Sequence, residues 1–280
     1  MKTLGGKVAV ITGAGSGIGR ALSLACARQG MHLALLDLKP AGLQQTAQLL
    51  DPACAPPLLL ACDVTDEQAV ETAAQAVYAR YGGAHLLFNN AGVFTGGPLW
   101  QAPVAEWRRQ FDVNVMGVVH GLRSFIPRML AAGEPAHIVN TASVGGLTSP
   151  PHYSVYAATK HAVVALSECL HHDLQAERAA IGVSVLCPAF VRTAIADAPA
   201  EDLAGATSPA AAEHLAATRK LMEHARLSAD DVAGIAIEGV LQDRFYILTH
   251  PGSRAGIEWR MRDILQDRAP TNPMRPPSTN

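Results

Sequence analysis

The sequence predicts an α/β protein: a doubly wound parallel sheet of about seven strands with helices on both faces, in a single domain. Three observations predict it. Short apolar runs alternate with helical patterns to about residue 190, as parallel strands joined by crossover helices do. The first run passes directly into a glycine-dense turn and then a helix. The 280 residues, 49% hydrophobic and 16% charged, suit one sizeable core, and no repeat or linker divides them.

The elements follow in order. Lys7-Val8-Ala9-Val10-Ile11 is a buried-strand pattern, and Thr12-Gly13-Ala14-Gly15-Ser16-Gly17-Ile18-Gly19 follows at once. Arg20 to Gln29 reads as a helix with Ala21, Leu22, Leu24, Ala25 and Ala27 near its buried side and Gly30 as its stop. Strand, glycine turn and helix make a phosphate site, because glycine lets the backbone approach closely and a helix N-terminus favours an anion. The spacing reads GxxxGxG over Gly13, Gly17 and Gly19, with Ser16 and Ile18 in the same turn. This is the Rossmann type of dinucleotide site. The second strand, His32 to Leu36, ends on Asp37, 18 residues after Gly19. A carboxylate there accepts hydrogen bonds from the adenosine ribose and repels a 2′-phosphate, so NAD is expected over NADP. Lys39 is the one nearby residue that favours a phosphate; position 16 is Ser, and no basic residue precedes Arg20 in the loop. Further strands are expected over 57–62, 85–89, 136–142, 181–187 and 244–248, in addition to 7–12 and 32–37.

Tyr156-Ala157-Ala158-Thr159-Lys160 carries the chemistry, with Ser143 lying 13 residues before the tyrosine. Four apart on a helix, Tyr156 and Lys160 share one face. A phenol of ordinary pKa about 10 is a poor proton carrier at neutral pH, and a nearby ammonium lowers that pKa. Ser143 is placed to hydrogen-bond the same oxygen or a substrate carbonyl. The set is equipped to move a proton to or from a carbinol oxygen.

With the glycine loop, Asp37, Ser143, Tyr156 and Lys160 together, the chain resembles the short-chain dehydrogenase/reductase family from residue 5 to 250 or so. The resemblance extends to Asp63-Val64, where members place an Asp against the adenine, and to Asn89-Asn90-Ala91-Gly92, which is similar to the NNAG segment beside the cofactor. It includes Asn114, the helix asparagine of the catalytic tetrad. Pro188, Val191 and Thr193 match the segment that cradles the nicotinamide, with Ala189 in place of the family's usual glycine. The resemblance implies that Tyr156 is general base in oxidation and general acid in reduction, and that Lys160 also binds the nicotinamide ribose. It implies that Ser143 orients the substrate oxygen and that Asn114 holds a water linking Lys160 to solvent. Substrate contacts are expected from Val144, Gly145, His152, Tyr153 and Phe190. A homodimer or homotetramer is implied, paired through helices at 104–131 and 154–178.

Composition narrows the rest. A net charge of −2 and 5% aromatic residues make no case for nucleic acid or an anionic membrane. No apolar stretch approaches the roughly 20 residues of a membrane span. Cys26, Cys54, Cys62, Cys169 and Cys187 are scattered and odd in number, which points to buried thiols in a reducing compartment rather than disulfides or zinc. The chain runs straight into its first strand, so a cytoplasmic protein is expected, and no histidine set suggests a metal.

Two segments exceed the minimal pattern. Residues 194–228, Ala-rich and helical around Ala210 to His224, read as a substrate lid over a bulky apolar substrate. Residues 253–267 read as an amphipathic helix with Ile257, Trp259, Met261, Ile264 and Leu265 as its contacts, closing the cleft or meeting another subunit. A Pro-rich tail follows over 269–280. The domain reading is 1–252 catalytic and 253–280 a C-terminal helix and tail. The function expected is NAD-dependent interconversion of a bulky hydrophobic secondary alcohol and its ketone, with a tilt toward aryl alcohols. The alternatives are an NADP-dependent carbonyl reductase, a nucleotide-sugar epimerase or dehydratase cycle, and a catalytically silent nucleotide-sensing scaffold.

Overall fold

The protein, seen here as a computed structural model, is described over residues 1–193, 195 and 209–275. In chain order the elements are β1 (Val8–Thr12), α1 (Gly17–Arg28), β2 (His32–Asp37), α2 (Pro40–Gln48), β3 (Leu58–Ala61), α3 (Glu67–Tyr81) and β4 (Leu86–Asn89). Then come α4 (Val104–Phe111), α5 (Gly117–Ala132), β5 (Ala136–Thr141), α6 (Ser154–Ala176), β6 (Ile181–Cys187) and β7 (Val191–Arg192). The chain continues through α7 (Pro209–Glu223), β8 (Leu227–Ser228), α8 (Ala229–Leu241), β9 (Tyr246–Leu248) and α9 (Ser253–Leu265).

Seven strands form one parallel sheet in the order β3-β2-β1-β4-β5-β6-β9. All seven expected strands are present, two of them, β2 and β6, with the expected bounds and the other five shortened at one or both ends by one or two residues. Successive side chains of a strand point to opposite faces, and the core divides accordingly. Ala9 and Ile11 of β1, with Leu33 and Leu35 of β2, pack with α1 and α8. Val8, Val10, Ala34 and Leu36 pack on the other face with α3 and α5. Burial on both faces is why these strands read as continuous apolar runs rather than alternating ones.

One polar thread crosses that core. Asn89 donates from Nδ2 to Asn140 Oδ1 at 2.9 Å, Asn140 donates to Ser167 Oγ at 3.0 Å, and Ser167 donates to the Val163 carbonyl at 2.7 Å. It ties β4 to β5 and α6, the strand and helix on either side of Ser143. Gly121 is required beside it, since a Cβ there would stand 2.1 Å from Asn89 Oδ1.

The sequence reading missed β7 and β8, two residues each. They pair in parallel, Val191 with Leu227 and Arg192 with Ser228. Arg192 also donates to the carbonyls of Ala225 and Arg226. The insert therefore leaves and rejoins the body at one place. Residues 194 and 196–208 of the expected lid, and 276–280 of the tail, lie outside the described residues. The lid's described helix, α7, is docked: Leu215 and Thr218 are buried, and the Thr218 hydroxyl meets Tyr153 Oη at 3.0 Å.

On α9, Ile257 and Trp259 are half-buried and Trp259 lines a cavity, whereas Met261, Ile264 and Leu265 face solvent, Leu265 at 79% exposure. The five apolar residues therefore do not form one stripe buried against the body of this chain. Among the cysteines, Cys26, Cys62 and Cys187 are buried as expected, whereas Cys54 is half-buried and Cys169 is exposed on α6. Among the described residues, no helix is long and apolar enough to cross a membrane.

Candidate active site

The strand order reverses between β1 and β4, and a doubly wound sheet binds ligand at the carboxyl ends of the strands where it does. The glycine turn lies there. A Cβ on Gly19 would stand 2.0 Å from the Gly13 carbonyl oxygen, so α1 starts as close to the turn as a backbone can. Ser16, at the N-cap of α1, makes no side-chain cap and the first turn holds no acidic residue, which leaves the helix N–H groups to an anion. Thr193 lies against Gly17 from the opposite side.

Asp37, at the end of β2, accepts from the Gly15 N–H at 2.8 Å and the Lys39 N–H at 2.9 Å. A Cβ on Gly15 would stand 2.8 Å from that carboxylate. Gly15 thus joins Gly13, Gly17 and Gly19, a requirement the spacing argument overlooked. Arg20 is turned inward onto the Gly15 carbonyl, Thr46 and Gln45, while Lys39 is exposed.

The Thr12 hydroxyl fastens the next segment, accepting from the N–H groups of Asn90 at 2.9 Å and Ala91 at 3.0 Å. Asp63 is exposed and its carboxylate closes a turn on Thr65. Val64 is buried, and its carbonyl accepts from His120. Pro188 accepts from the Val144 N–H at 2.9 Å and from the Ser143 hydroxyl at 3.2 Å, so the segment after β6 is joined to the serine loop. Residues 188–190 are also held by His250, which no sequence pattern singled out. Its Nδ1 accepts from the Ala189 N–H at 3.3 Å, and its Nε2, necessarily the protonated nitrogen, donates to the Phe190 carbonyl at 3.1 Å.

Ser143, Tyr156 and Lys160 converge as the spacing predicts. Lys160 is 3% exposed and donates to the Thr141 carbonyl at 2.9 Å, with Nζ 5.6 Å from the Tyr156 ring centre. The expectation that Lys160 lowers the Tyr156 pKa is not met by the chain's own charges. Burial pushes Tyr156 up to about 12, with the Ser143 hydroxyl pulling the other way, and burial pushes Lys160 down to about 8. Desolvation dominates for both groups, and Lys160 is itself buried and directed at the Thr141 carbonyl.

Asn114 sits in a π-helical turn, Asp112–Met116, between α4 and α5. Its Oδ1 accepts from the Val93 N–H at 2.8 Å, and its Nδ2 donates to the Val93 carbonyl at 3.0 Å and to Thr159 at 3.1 Å. The side chain is engaged in clamping the segment that leaves Gly92. A π turn redirects backbone carbonyls, which is the part of this residue left for a water.

Beyond the catalytic set opens a cavity of ≈ 550 Å³. Val144, Gly145, Tyr153 and Phe190 line it, as expected. His152 does not. It has φ 69°, its carbonyl accepts from the Gly97 N–H at 2.7 Å, and it borders a separate hollow of ≈ 30 Å³. The loop turns at His152, which directs the next residue, and not the histidine, into the cavity. Phe94, Met222, Arg226, Trp259 and Met274 also line it. Met222 and Arg226 lie in the segment expected to be a lid and Trp259 on the helix expected to close the cleft, whereas Phe94 and Met274 had no expected part in the substrate site. Among the described residues no cluster of three or more potential metal ligands occurs.

A glycine cradle at the sheet's reversal point, opening onto a Ser-Tyr-Lys set and an apolar cavity, defines a dinucleotide-dependent oxidoreductase. Comparison with known proteins agrees. The short chain dehydrogenase family model matches residues 7–204. The chain is 36% identical to the 1-deoxy-11-beta-hydroxypentalenate dehydrogenase of Streptomyces arenae, across 97% of this chain and 91% of that one. It is 32% identical to the CLA biosynthesis dehydrogenase/reductase of Lactiplantibacillus plantarum, across 96% and 97%. A short chain dehydrogenase/reductase from Burkholderia phymatum, solved in complex with NAD, superposes with a TM-score of 0.94 at 45% identity, covering 100% of both chains. The chain belongs to the short-chain dehydrogenase/reductase family, enzymes that act on CH–OH groups and use NAD or NADP.

Proposed function

We propose that the protein is an NAD-preferring dehydrogenase that interconverts a secondary alcohol on a bulky hydrophobic skeleton and the corresponding ketone. The observation that carries this reading is the meeting of Ser143, Tyr156 and Lys160 at the boundary between the glycine cradle and the apolar cavity. The cradle fits a dinucleotide, since Gly13, Gly15 and Gly19 have no room for side chains and the α1 N-terminus is uncapped. Asp37, with Arg20 turned inward, supports NAD over NADP. One relative supports a bulky substrate, being by name the dehydrogenase of a hydroxypentalenate, a hydroxylated carboxylate, and the solved neighbour in complex with NAD supports the cofactor.

When bound, NAD supplies the acceptor for the carbinol hydride. Ser143 donates a hydrogen bond to the substrate oxygen, turning from the Pro188 carbonyl to do so, and so fixes that oxygen beside Tyr156. Tyr156 takes the hydroxyl proton in oxidation and returns it in reduction. Lys160 holds positive charge under the ring and positions the cofactor ribose. Phe94, whose ring meets Tyr156 edge-on at 5.1 Å, and the aromatic Tyr153 beside it exclude water from the phenol.

The test is NADH formation from hydrophobic secondary alcohols. Wild-type protein should turn over at least one such alcohol with NAD, and Tyr156→Phe should lower kcat by about 10²-fold or more, the weight of a general base, while binding NADH. Turnover retained in Tyr156→Phe removes Tyr156 from the acid–base role.

A further inference from the structure

The substrate cavity has one charged side chain in its described walls, and the reaction does not need it. Arg226 lies at the end of the insert, immediately before β8. Its backbone is fixed: Arg192 donates to its carbonyl, Ala225 before it is buried, and Leu227 after it is laddered to Val191. Its guanidinium has no ion pair or hydrogen bond among the described residues, and no carboxylate lines the cavity among them. The surrounding walls are apolar: Phe94, Phe190, Met222, Leu227, Trp259 and Met274. The one other basic side chain there, His250, is occupied at both ring nitrogens and kept neutral by burial.

Arg226 is exposed, and a guanidinium at the open edge of an apolar cavity recognises a planar anion. Its fork matches a carboxylate in bidentate fashion, and apolar walls strengthen the pair relative to open solvent. A substrate that is only hydrophobic would gain nothing from it and would leave a cation bordering its apolar surface. We propose that Arg226 binds a carboxylate carried by the substrate itself, so that the enzyme acts on hydrophobic hydroxy acids: the hydroxyl meets Ser143 and Tyr156, and the acid group meets Arg226 at the mouth. This rests on the alcohol-oxidising reading of the same cavity, and it adds a specificity-determining residue to that site.

Trp259 lines the cavity, so its emission reports occupancy independently of turnover. The probes are 12-hydroxyoctadecanoate and lithocholate, one flexible and one rigid, each against its methyl ester, titrated into protein carrying Trp100→Phe and Trp107→Phe. The acid should bind about 10- to 100-fold more tightly than its ester, the size of a hydrogen bond to a charged group. Arg226→Gln should bring that ratio near one, and Arg226→Lys should restore part of it. In NAD-linked turnover the same change should appear in KM for the acid rather than in kcat. Equal binding of acid and ester by the wild type, binding of neither acid, or a preference that survives Arg226→Gln overturns the proposal. An acid preference that depends on Arg226 but comes with no NAD reduction would leave this inference standing and remove the dehydrogenase reading instead.

Discussion

At the scale of single residues, the cofactor site depends on groups doing two tasks at once. Asp37 orders the glycine turn through the Gly15 N–H and ends β2 where a ribose would lie. Removing its carboxylate therefore leaves the turn looser and also lifts the charge that repels a 2′-phosphate. Asp37→Ala should weaken NADH binding by about 10- to 100-fold, the cost of hydrogen bonds to a charged group. NADPH should lose far less, because exposed Lys39 remains beside the site. Nicotinamide fluorescence titrations with both cofactors measure this. An unchanged NADH-to-NADPH ratio would move discrimination away from Asp37. The Asn114 side chain is engaged with Val93 and Thr159 and holds the segment after Gly92 in place.

At the scale of elements, α7 of the insert and α6, which carries Tyr156, are joined through two hydroxyls. Tyr153, at the start of α6, is 8% exposed and meets Thr218 of α7, which is 0% exposed. His214, one turn earlier, stands against the Tyr153 ring at 4.7 Å, edge to face. Thr218→Val removes one partner and keeps the shape, leaving a buried phenol unpaired at a cost of about 1–3 kcal/mol. Amide exchange across α7 should quicken by about 5- to 100-fold with α1 and β5 unchanged, as local opening requires. Exchange that quickens everywhere would mean the contact supports the whole core instead. These elements also show what a sequence can and cannot disclose. The strands were legible because burial on both faces forces continuous apolar runs, and the Tyr156–Lys160 pair because one helix sets its geometry. The roles of Gly15, His250 and Arg226 were not, because each depends on a neighbour distant in sequence: Asp37, the Ala189–Phe190 backbone and the apolar cavity. The Tyr156 pKa was misjudged for a related reason. A motif shows that a cation is near but not how dry the place is.

At the scale of the whole molecule, buried titratable groups bound the pH range in which the fold holds. His137 in β5 is 0% exposed, and burial pushes it down to about 4 against an ordinary 6.5, with Asp243 opposing. Its Nε2 donates to Ser184, which in turn donates to the Arg244 carbonyl, while Nδ1 makes no hydrogen bond and stands 3.7 Å from Asp243 Oδ1. A histidine lowered on folding contributes stability that is full above pH 6.5 and lost as pH falls toward 4, because the unfolded chain binds the proton first. Glu71, held down to about 2 by its hydrogen bonds from Arg128, adds its own loss only below pH 4.5. On the alkaline side burial pushes the Cys26 thiol up to about 12 from 9.0, so its contribution is full below pH 9 and lost above it. Lys160, lowered to about 8 from 10.5, works the other way and gains stability as its proton leaves over that interval. The acid limb is the cleaner one to test, since His137 is the dominant group between pH 4.5 and 6.5. His137→Gln keeps a donor for Ser184 and removes the titration. Denaturant unfolding at pH 7.5 and pH 5 should show the wild type losing about 2 kcal/mol more than the variant. Equal losses in the two proteins would mean that another group, not the imidazole in the sheet, admits the proton as the protein unfolds.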